Sequence, residues 1–154
     1  MIHLNLLTEQ EFKEYQTFMI SDYALEITKN FNLSLQSALE ESEMMMKDLW
    51  KDGLFTEGQY LYKIKDSKTN EKVGILWYGL IPEINQAYVY HIFIDELYRR
   101  KGYGKGTLEK LQSMLKQSGI DSIGLSVFGE NEAAYQLYKK LGYKNTRISM
   151  EFIL

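Results

Sequence analysis

The chain of 154 residues has no cysteine, one proline and two histidines. The first absence removes zinc–thiolate sites, disulfide frameworks and a cysteine nucleophile in one step, and no metal is expected. No apolar run approaches the ~18 residues needed to span a bilayer, so no membrane partner is expected. A net charge of −3 gives no reason to expect a long, salt-dependent contact with nucleic acid. The start, Met1-Ile2-His3-Leu4-Asn5, lacks a basic segment followed by an apolar core. It does not read as a signal peptide, and the expected location is the cytoplasm.

What is present suits one domain, read as 1–154. Forty-five per cent of residues are apolar and 25% charged, the balance of a soluble globular chain. A domain of this size can bury roughly two-thirds of its unfolded surface without a metal or disulfide. No repeat, linker or low-complexity stretch suggests a boundary.

Ile2 to Leu6 alternates as a short first strand. Thr8-Glu9-Gln10-Glu11 then reads as a capping box, opening a helix that carries Phe12, Tyr15, Met19, Tyr23 and Ile27 and runs to about Asn30. Ser34 can cap a second helix with Leu35, Ala38, Leu39, Met46, Leu49 and Trp50 on one side. Met44 to Met46 reads as flexible packing between the helices. Strands are expected at Gln59 to Lys65, Lys72 to Ile81 (closed by Pro82) and Gln86 to Ile94, with a turn at Asp66 to Asn70. The third of these leaves neither face polar, which predicts a central strand covered on both sides. A helix from Gly104 to about Gln117 follows, bearing Leu108, Leu111 and Leu115 and stopped at Gly119. Next come a strand from Ser122 to Phe128, a helix from Asn131 to Lys140 ended by Gly142, and a last strand from Arg147 to Leu154. The fold class is α/β (α+β), with a mixed, largely antiparallel sheet flanked by about four helices.

Chemistry concentrates where the third strand of the middle group ends. Ile92-Phe93-Ile94 leads through Asp95-Glu96-Leu97-Tyr98 into Arg99-Arg100-Lys101-Gly102-Tyr103-Gly104-Lys105-Gly106 and then an amphipathic helix. A glycine turn at a helix start exposes several unpaired amides in one direction, and the helix dipole favours an anion there. Arg99, Arg100, Lys101 and Lys105 strengthen that field. The loop therefore reads as a pyrophosphate cradle, against the plainer alternative of a basic surface turn. A nucleotide-binding P-loop would require a glycine at position 99, where Arg99 stands. A dinucleotide fold would need a βαβ unit opening the chain.

These residues resemble the GNAT superfamily of acyl-CoA-dependent N-acyltransferases, whose phosphate motif is Gln/Arg-x-x-Gly-x-Gly/Ala at a helix start. Arg99-Arg100-Lys101-Gly102-Tyr103-Gly104 fills every fixed position. A second motif follows in order: Asn131-Glu132-Ala133-Ala134, Leu137-Tyr138 and Gly142-Tyr143. Asp22-Tyr23-Ala24 and Leu125-Ser126-Val127-Phe128 look like an uncharacterised bacterial branch. The resemblance implies a splayed central strand at Ile92, Phe93 and Ile94, meeting the pantetheine arm of acetyl-CoA. It implies pyrophosphate binding by amides around Arg100 to Lys105, a cofactor contact or strand-end support from Asn131, and Tyr138 facing the sulfur. The activity it implies is acetyl transfer to a small-molecule or peptide amine by direct attack in a ternary complex, since no acyl-cysteine can form. Homodimers are common in such a family. The alternatives are a catalytically silent acyl-CoA-binding or regulatory module, or an interaction domain whose basic loop binds nothing specific.

Spacing alone reads Tyr138 as a core tyrosine beside Ala134 and Leu141. The glutamate that some family members place early in the central strand falls here on Tyr88, so no general base is assigned. His91 alternates onto the face opposite Tyr90 and Ile92 and reads as a buried structural histidine. Glu26 suits a solvated helix face as well as an acceptor cleft. Tyr60, Tyr62, Trp77, Tyr78, Tyr88 and Tyr90 are expected mainly to pack across strands, with one or two lining an acceptor pocket.

Overall fold

Thr8 and Glu11 cap each other: the Glu11 amide donates to Thr8 Oγ1 at 3.2 Å and the Thr8 amide to Glu11 Oε1 at 2.9 Å. In the computed structural model, which describes all residues Met1–Leu154, this cap follows β1 (Ile2–Leu6) and opens α1 (Glu9–Asn30). Ser34 Oγ accepts from the Ser37 amide and opens α2 (Leu35–Leu49). Ser42 Oγ donates to the Ile20 carbonyl at 2.8 Å and locks the two helices together. Met46 is buried between them while Met44 is exposed, and Leu35, expected inward, is exposed at the helix end. Lys63 Nζ donates to both Glu11 oxygens at 2.8 and 2.9 Å, tying α1 to β2 (Gln59–Asp66). That ammonium, with help from the Thr8 amide, holds the Glu11 carboxyl down at about 2.

The sheet order is β1-β2-β3-β4-β5, with β3 at Lys72–Ile81, β4 at Gln86–Ile94 and β5 at Ser122–Leu125. The first four strands are antiparallel and β5 runs parallel to β4. One face packs on α1 and α2 around Leu61, Ile75 and Trp77; the other packs on α3 (Tyr103–Gln117) around Ile64, Leu76 and Leu111. Leu108 and Leu111 are fully buried, each contributing about 1.5–3 kcal/mol by leaving water. No helix is long and apolar enough to cross a membrane.

Three expectations are corrected. The strand covered on both sides is β3, buried continuously from Val73 to Gly79, not β4. β5 pairs only with Gln86–Val89 and stops at Leu125 instead of Phe128, so the rest of β4 has a neighbour on one side only. The last strand, Arg147 to Leu154, does not form: the chain beyond α4 (Glu132–Lys140) is irregular and exposed. An extended segment is stable only when another strand takes its backbone groups, and nothing in this chain does so.

Candidate active site

The register of β3 on β4 passes from Trp77↔His91 to Tyr78↔Val89, which leaves Tyr90 as an extra residue. In such a bulge two successive side chains share a face. Tyr90 stacks on Trp77 at 4.7 Å and the His91 ring meets Tyr15, so both look toward α1 and α2. Plain alternation separates them; the bulge is why the structure does not. Past it, Ile92 and Ile94 face the α3 side.

The Asp95 amide donates to the Val73 carbonyl at 2.9 Å. Alternate residues of an antiparallel ladder face the partner strand. Phe93 therefore spends its backbone groups on β3, while Ile92 and Ile94 turn theirs toward the gap that β5 leaves. In agreement, a Cβ on Gly74 would run into the Phe93 carbonyl. Of the three residues expected at the splayed strand, Ile92 presents both backbone groups to the gap, Ile94 presents its N–H while its carbonyl accepts from Arg99, and Phe93 presents neither.

After a short 3-10 turn at Glu96–Tyr98, Arg100 (φ 59°) and Gly102 (φ 85°) adopt left-handed conformations. They steer the following amides together, as in an anion nest. The first bond of α3 runs from the Gly106 amide to the Gly102 carbonyl at 2.9 Å, and no side chain caps the helix. The six successive N–H groups from Arg100 to Lys105 find no acceptor within the protein. Unpaired donors at a helix start fit two linked phosphates.

The side chains divide the labour. Arg99 Nε donates to the Ile94 carbonyl at 2.8 Å and its guanidinium lies 5.1 Å over the Phe93 ring, fastening the loop to the end of β4. Arg100 and Lys101 are exposed; Lys101 Nζ stands 5.7 Å over Tyr98. Lys105 Nζ lies 3.9 Å from Glu109. Tyr103 turns its ring away from the nest: its hydroxyl donates to Asp66 Oδ2 at 2.7 Å, anchoring α3 to the β2–β3 turn. The Thr69 amide, then Tyr103 and the Lys68 amide, hold the Asp66 carboxyl at about 2. A Cβ on Gly104 would lie 3.6 Å from Leu137 and 3.9 Å from Ile94, so β4, α3 and α4 converge there.

On α4, Asn131 Oδ1 accepts from the Ala134 amide at 3.2 Å, which makes it the helix cap. That bond engages the oxygen of the side chain within the protein. The Tyr138 hydroxyl makes no hydrogen bond in the protein, and burial pushes it up to about 12. Its ring lies 5.7 Å from Tyr143, whose amide donates to the Tyr138 carbonyl at 3.0 Å.

On the opposite face of β4, Tyr15 Oη and His91 Nδ1 are 2.8 Å apart and Asp22 Oδ2 lies 3.5 Å from His91 Nε2. With Tyr15 at one ring nitrogen and Asp22 near the other, His91 bridges α1 and β4. Glu26 pairs with Lys29 at 3.5 Å, the solvated-face reading. Most of the aromatic set packs across strands, as in the Tyr60–Tyr78 stack at 5.0 Å. Tyr88 differs: its hydroxyl bonds Ser126 Oγ beyond the end of β5. Nearby, Phe128 lies 6.1 Å from Tyr23 and 6.0 Å from Phe31. Asp22 and Ser126 were legible only within motif stretches; the i, i+7 spacing of Tyr15 and Asp22 on α1 was the signal for their shared partner.

An acetyltransferase (GNAT) family model matches residues 23–143, spanning the strand bulge, the nest and α4. The chain belongs to that family. It is 34% identical over 153 residues to YycN, an uncharacterised N-acetyltransferase of Bacillus subtilis, covering 97% of this chain and 96% of the relative. The crystal structure of YycN superposes with a TM-score of 0.93 at 31% identity, covering 100% of this chain and 99% of that one. YdgE, another uncharacterised N-acetyltransferase of Bacillus subtilis, is 27% identical over 146 residues, 94% of this chain and 92% of the relative. A spermine/spermidine N(1)-acetyltransferase of the same organism is 35% identical over 79 residues, 47% of this chain and 52% of that relative. This GNAT chain thus shares its fold and acyltransferase class with N-acetyltransferases.

Proposed function

We propose that the protein transfers an acetyl group from acetyl-CoA to a primary amine by direct attack within a ternary complex. The observation that carries this reading is the row of six unpaired amides, Arg100 to Lys105, beside the parted strand β4. These donors, with Arg100, Lys101 and Lys105, suit a pyrophosphate. Ile92 offers both outward backbone groups, and Ile94 its N–H, to an amide-rich arm. Acetyl-CoA, when bound, supplies an activated acyl carbon on a thiol leaving group.

An outward N–H on β4 stabilises the negative charge that gathers on the acyl oxygen during attack. As the carbon–sulfur bond breaks, the Tyr138 hydroxyl donates its proton to the departing sulfur, and the proton lost by the attacking nitrogen passes through water to restore it. A hydroxyl held at about 12 carries its proton at neutral pH. The acceptor reaches the acyl carbon from the α1 side, where Asp22, Tyr23 and Tyr88 provide one carboxylate and two aromatic faces. That lining favours an alkyl ammonium, which must lose a proton before it attacks.

Calorimetry with CoA followed by thiol release against a panel of amines tests the reading. Binding with amine-dependent thiol release supports it. Binding without turnover across polyamines, amino sugars and peptide amines identifies a silent acyl-CoA module instead, and no binding removes the cradle itself.

A further inference from the structure

Tyr15 and Asp22 stand seven residues apart on α1, two turns along one face. Both meet the same imidazole: Tyr15 Oη is 2.8 Å from His91 Nδ1, and Asp22 Oδ2 is 3.5 Å from His91 Nε2. The Tyr90 bulge makes the meeting possible, since strict alternation would turn His91 toward α3. Phe18 and Phe93 lie 6.2 and 6.0 Å from the ring and hold its plane.

The groups at the two ends decide which nitrogen carries the proton. A carboxylate only accepts, so the nitrogen facing Asp22 bears the hydrogen. Neutral imidazole has a single N–H, which leaves Nδ1 as acceptor and the Tyr15 hydroxyl as its donor. Tyr15 is fit for that role. It is buried, and burial, then the Asp22 charge, raises its phenol well above the ordinary range, so the proton stays. Order passes from a core hydroxyl, through one ring, to one carboxylate.

Asp22 is the open end. Its side chain is 34% exposed against 14% for His91, and no lysine or arginine pairs with it. Glu26, one turn on, already has Lys29. Tyr23 and Phe128, 6.1 Å apart, add aromatic faces nearby. His91 immediately precedes Ile92, whose outward N–H lies along the gap that β5 leaves. A fixed anion without a cation of its own thus stands next to the strand that would carry the thioester.

Resting on the acetyl-transfer reading, we infer that Tyr15 and His91 position the Asp22 carboxylate to hold the acceptor as its ammonium ion beside the thioester. Asp22 touches the substrate; His91 and Tyr15 act through it as positioning residues. A carboxylate beside an ammonium favours the charged form, so Asp22 gathers the acceptor and does not deprotonate it. The ammonium passes one proton to water before attack. Positive charge returns to the nitrogen as it bonds the acyl carbon, so the carboxylate holds substrate and transition state alike. Such uniform binding shows in KM and not in kcat.

Thiol release on the full chain is read with an alkyl amine and with the O-alkylhydroxylamine of equal length, which is uncharged at neutral pH. Asp22→Asn is expected to raise KM for the amine at least ~10-fold, as for one hydrogen bond to a charged group, with little change in kcat. Preference should shift toward the uncharged nucleophile by the same factor. His91→Phe, which keeps a ring but loses the N–H, should raise that KM ~3–10-fold. His91→Gln, which restores a donor, should bring it back toward the parent. Nitrogen NMR of the histidine-labelled chain reads the ring directly, with only His3 and His91 to tell apart. Neutral His91 is expected as the Nε2–H form, and Tyr15→Phe as a mixture of tautomers. An Nδ1–H ring in the parent overturns the positioning chain. So does a loss of kcat at unchanged KM in Asp22→Asn, which would mark a base, or an equal loss on both nucleophiles, which would mark packing. A parent chain that binds CoA and acetylates no amine brings down the acetyl-transfer reading itself; an active parent with Asp22→Asn unaltered brings down the positioning alone.

Discussion

Two glycines two residues apart in the nest answer to different physics, and exchanging each for alanine separates them. Gly102 sits at φ 85° and ψ 6°, where a side chain is disfavoured. A Cβ there would meet only Met1 Cε, at an ordinary 3.5 Å, so backbone conformation is the whole cost. Left-handed geometry for a non-glycine residue costs about 1–2 kcal/mol. Gly104 lies in the first turn of α3, and its added methyl would meet Leu137 and Ile94 at 3.6 and 3.9 Å without strain. Alanine in a helix is favoured over glycine by up to ~1 kcal/mol. For a chain of this size 1 kcal/mol moves Tm by about 3 °C. Gly102→Ala should therefore lower Tm by ~3–6 °C, and Gly104→Ala should raise it by ~1–3 °C, in scanning calorimetry without ligand. Titration with CoA should show Gly102→Ala weakened at least ~10-fold, about 1.4 kcal/mol, because relieving its φ rotates the neighbouring amides out of line. Gly104→Ala should stay within ~3-fold of the parent, under 0.7 kcal/mol. Equal melting points, or loss of CoA binding in Gly104→Ala alone, would refute the assignment of the nest to backbone conformation.

Tyr138→Phe should keep its acetyl-CoA affinity and lower turnover at least ~10-fold, about 1.4 kcal/mol of barrier; unchanged thiol release with a working amine would make the ring packing only. Arg99→Ala should weaken CoA binding ~5–20-fold, matching one charge-assisted bond of about 1–2 kcal/mol to the Ile94 carbonyl. Arg99→Lys should not restore it, since an ammonium lacks the planar fork that lets Nε hold the strand while the head group faces outward. Glu11 has its carboxyl lowered to about 2, so its pairing with Lys63 stabilises fully above the unfolded carboxylate range and is lost as pH falls from about 4.5 to 2. Discounted for its partial exposure, that is on the order of 1 kcal/mol. Glu11→Gln should flatten that part of the stability–pH curve in acid titrations followed by circular dichroism, and an unaltered curve would exclude the pair as its source.

Local signals in the sequence are legible where the structure depends on local chemistry. The Thr8–Glu11 cap, the Ser34 cap, the Asp66 turn and the start of α3 are each set by residues within four positions of one another. The nest was legible for the same reason, because glycine spacing and helix onset specify its amides. What failed to show depended on partners far along the chain. β4 reads as doubly covered because Val89, Tyr90, Ile92, Phe93 and Ile94 leave neither face polar, yet its second half is only half-buried, with Phe93 packed against Phe18 and Arg99. The alternation from Ile148 to Leu154 predicts a strand that does not form, because no edge of this chain takes its backbone groups. Arg99 and Tyr103 were placed at the site by motif, and only the structure shows that both side chains brace it from behind.

The single supernumerary residue at Tyr90 acts like a frameshift in a strand's two-sided code. Upstream of it the odd-numbered Ala87 and Val89 belong to the α3 layer; downstream that duty passes to the even-numbered Ile92 and Ile94. The strand can therefore present tyrosines to one chamber early in its course and an open backbone rail to another chamber later. Removing Tyr90 by deletion would restore strict parity, and every later side chain of β4 would have to choose between its present face and its present hydrogen bonds.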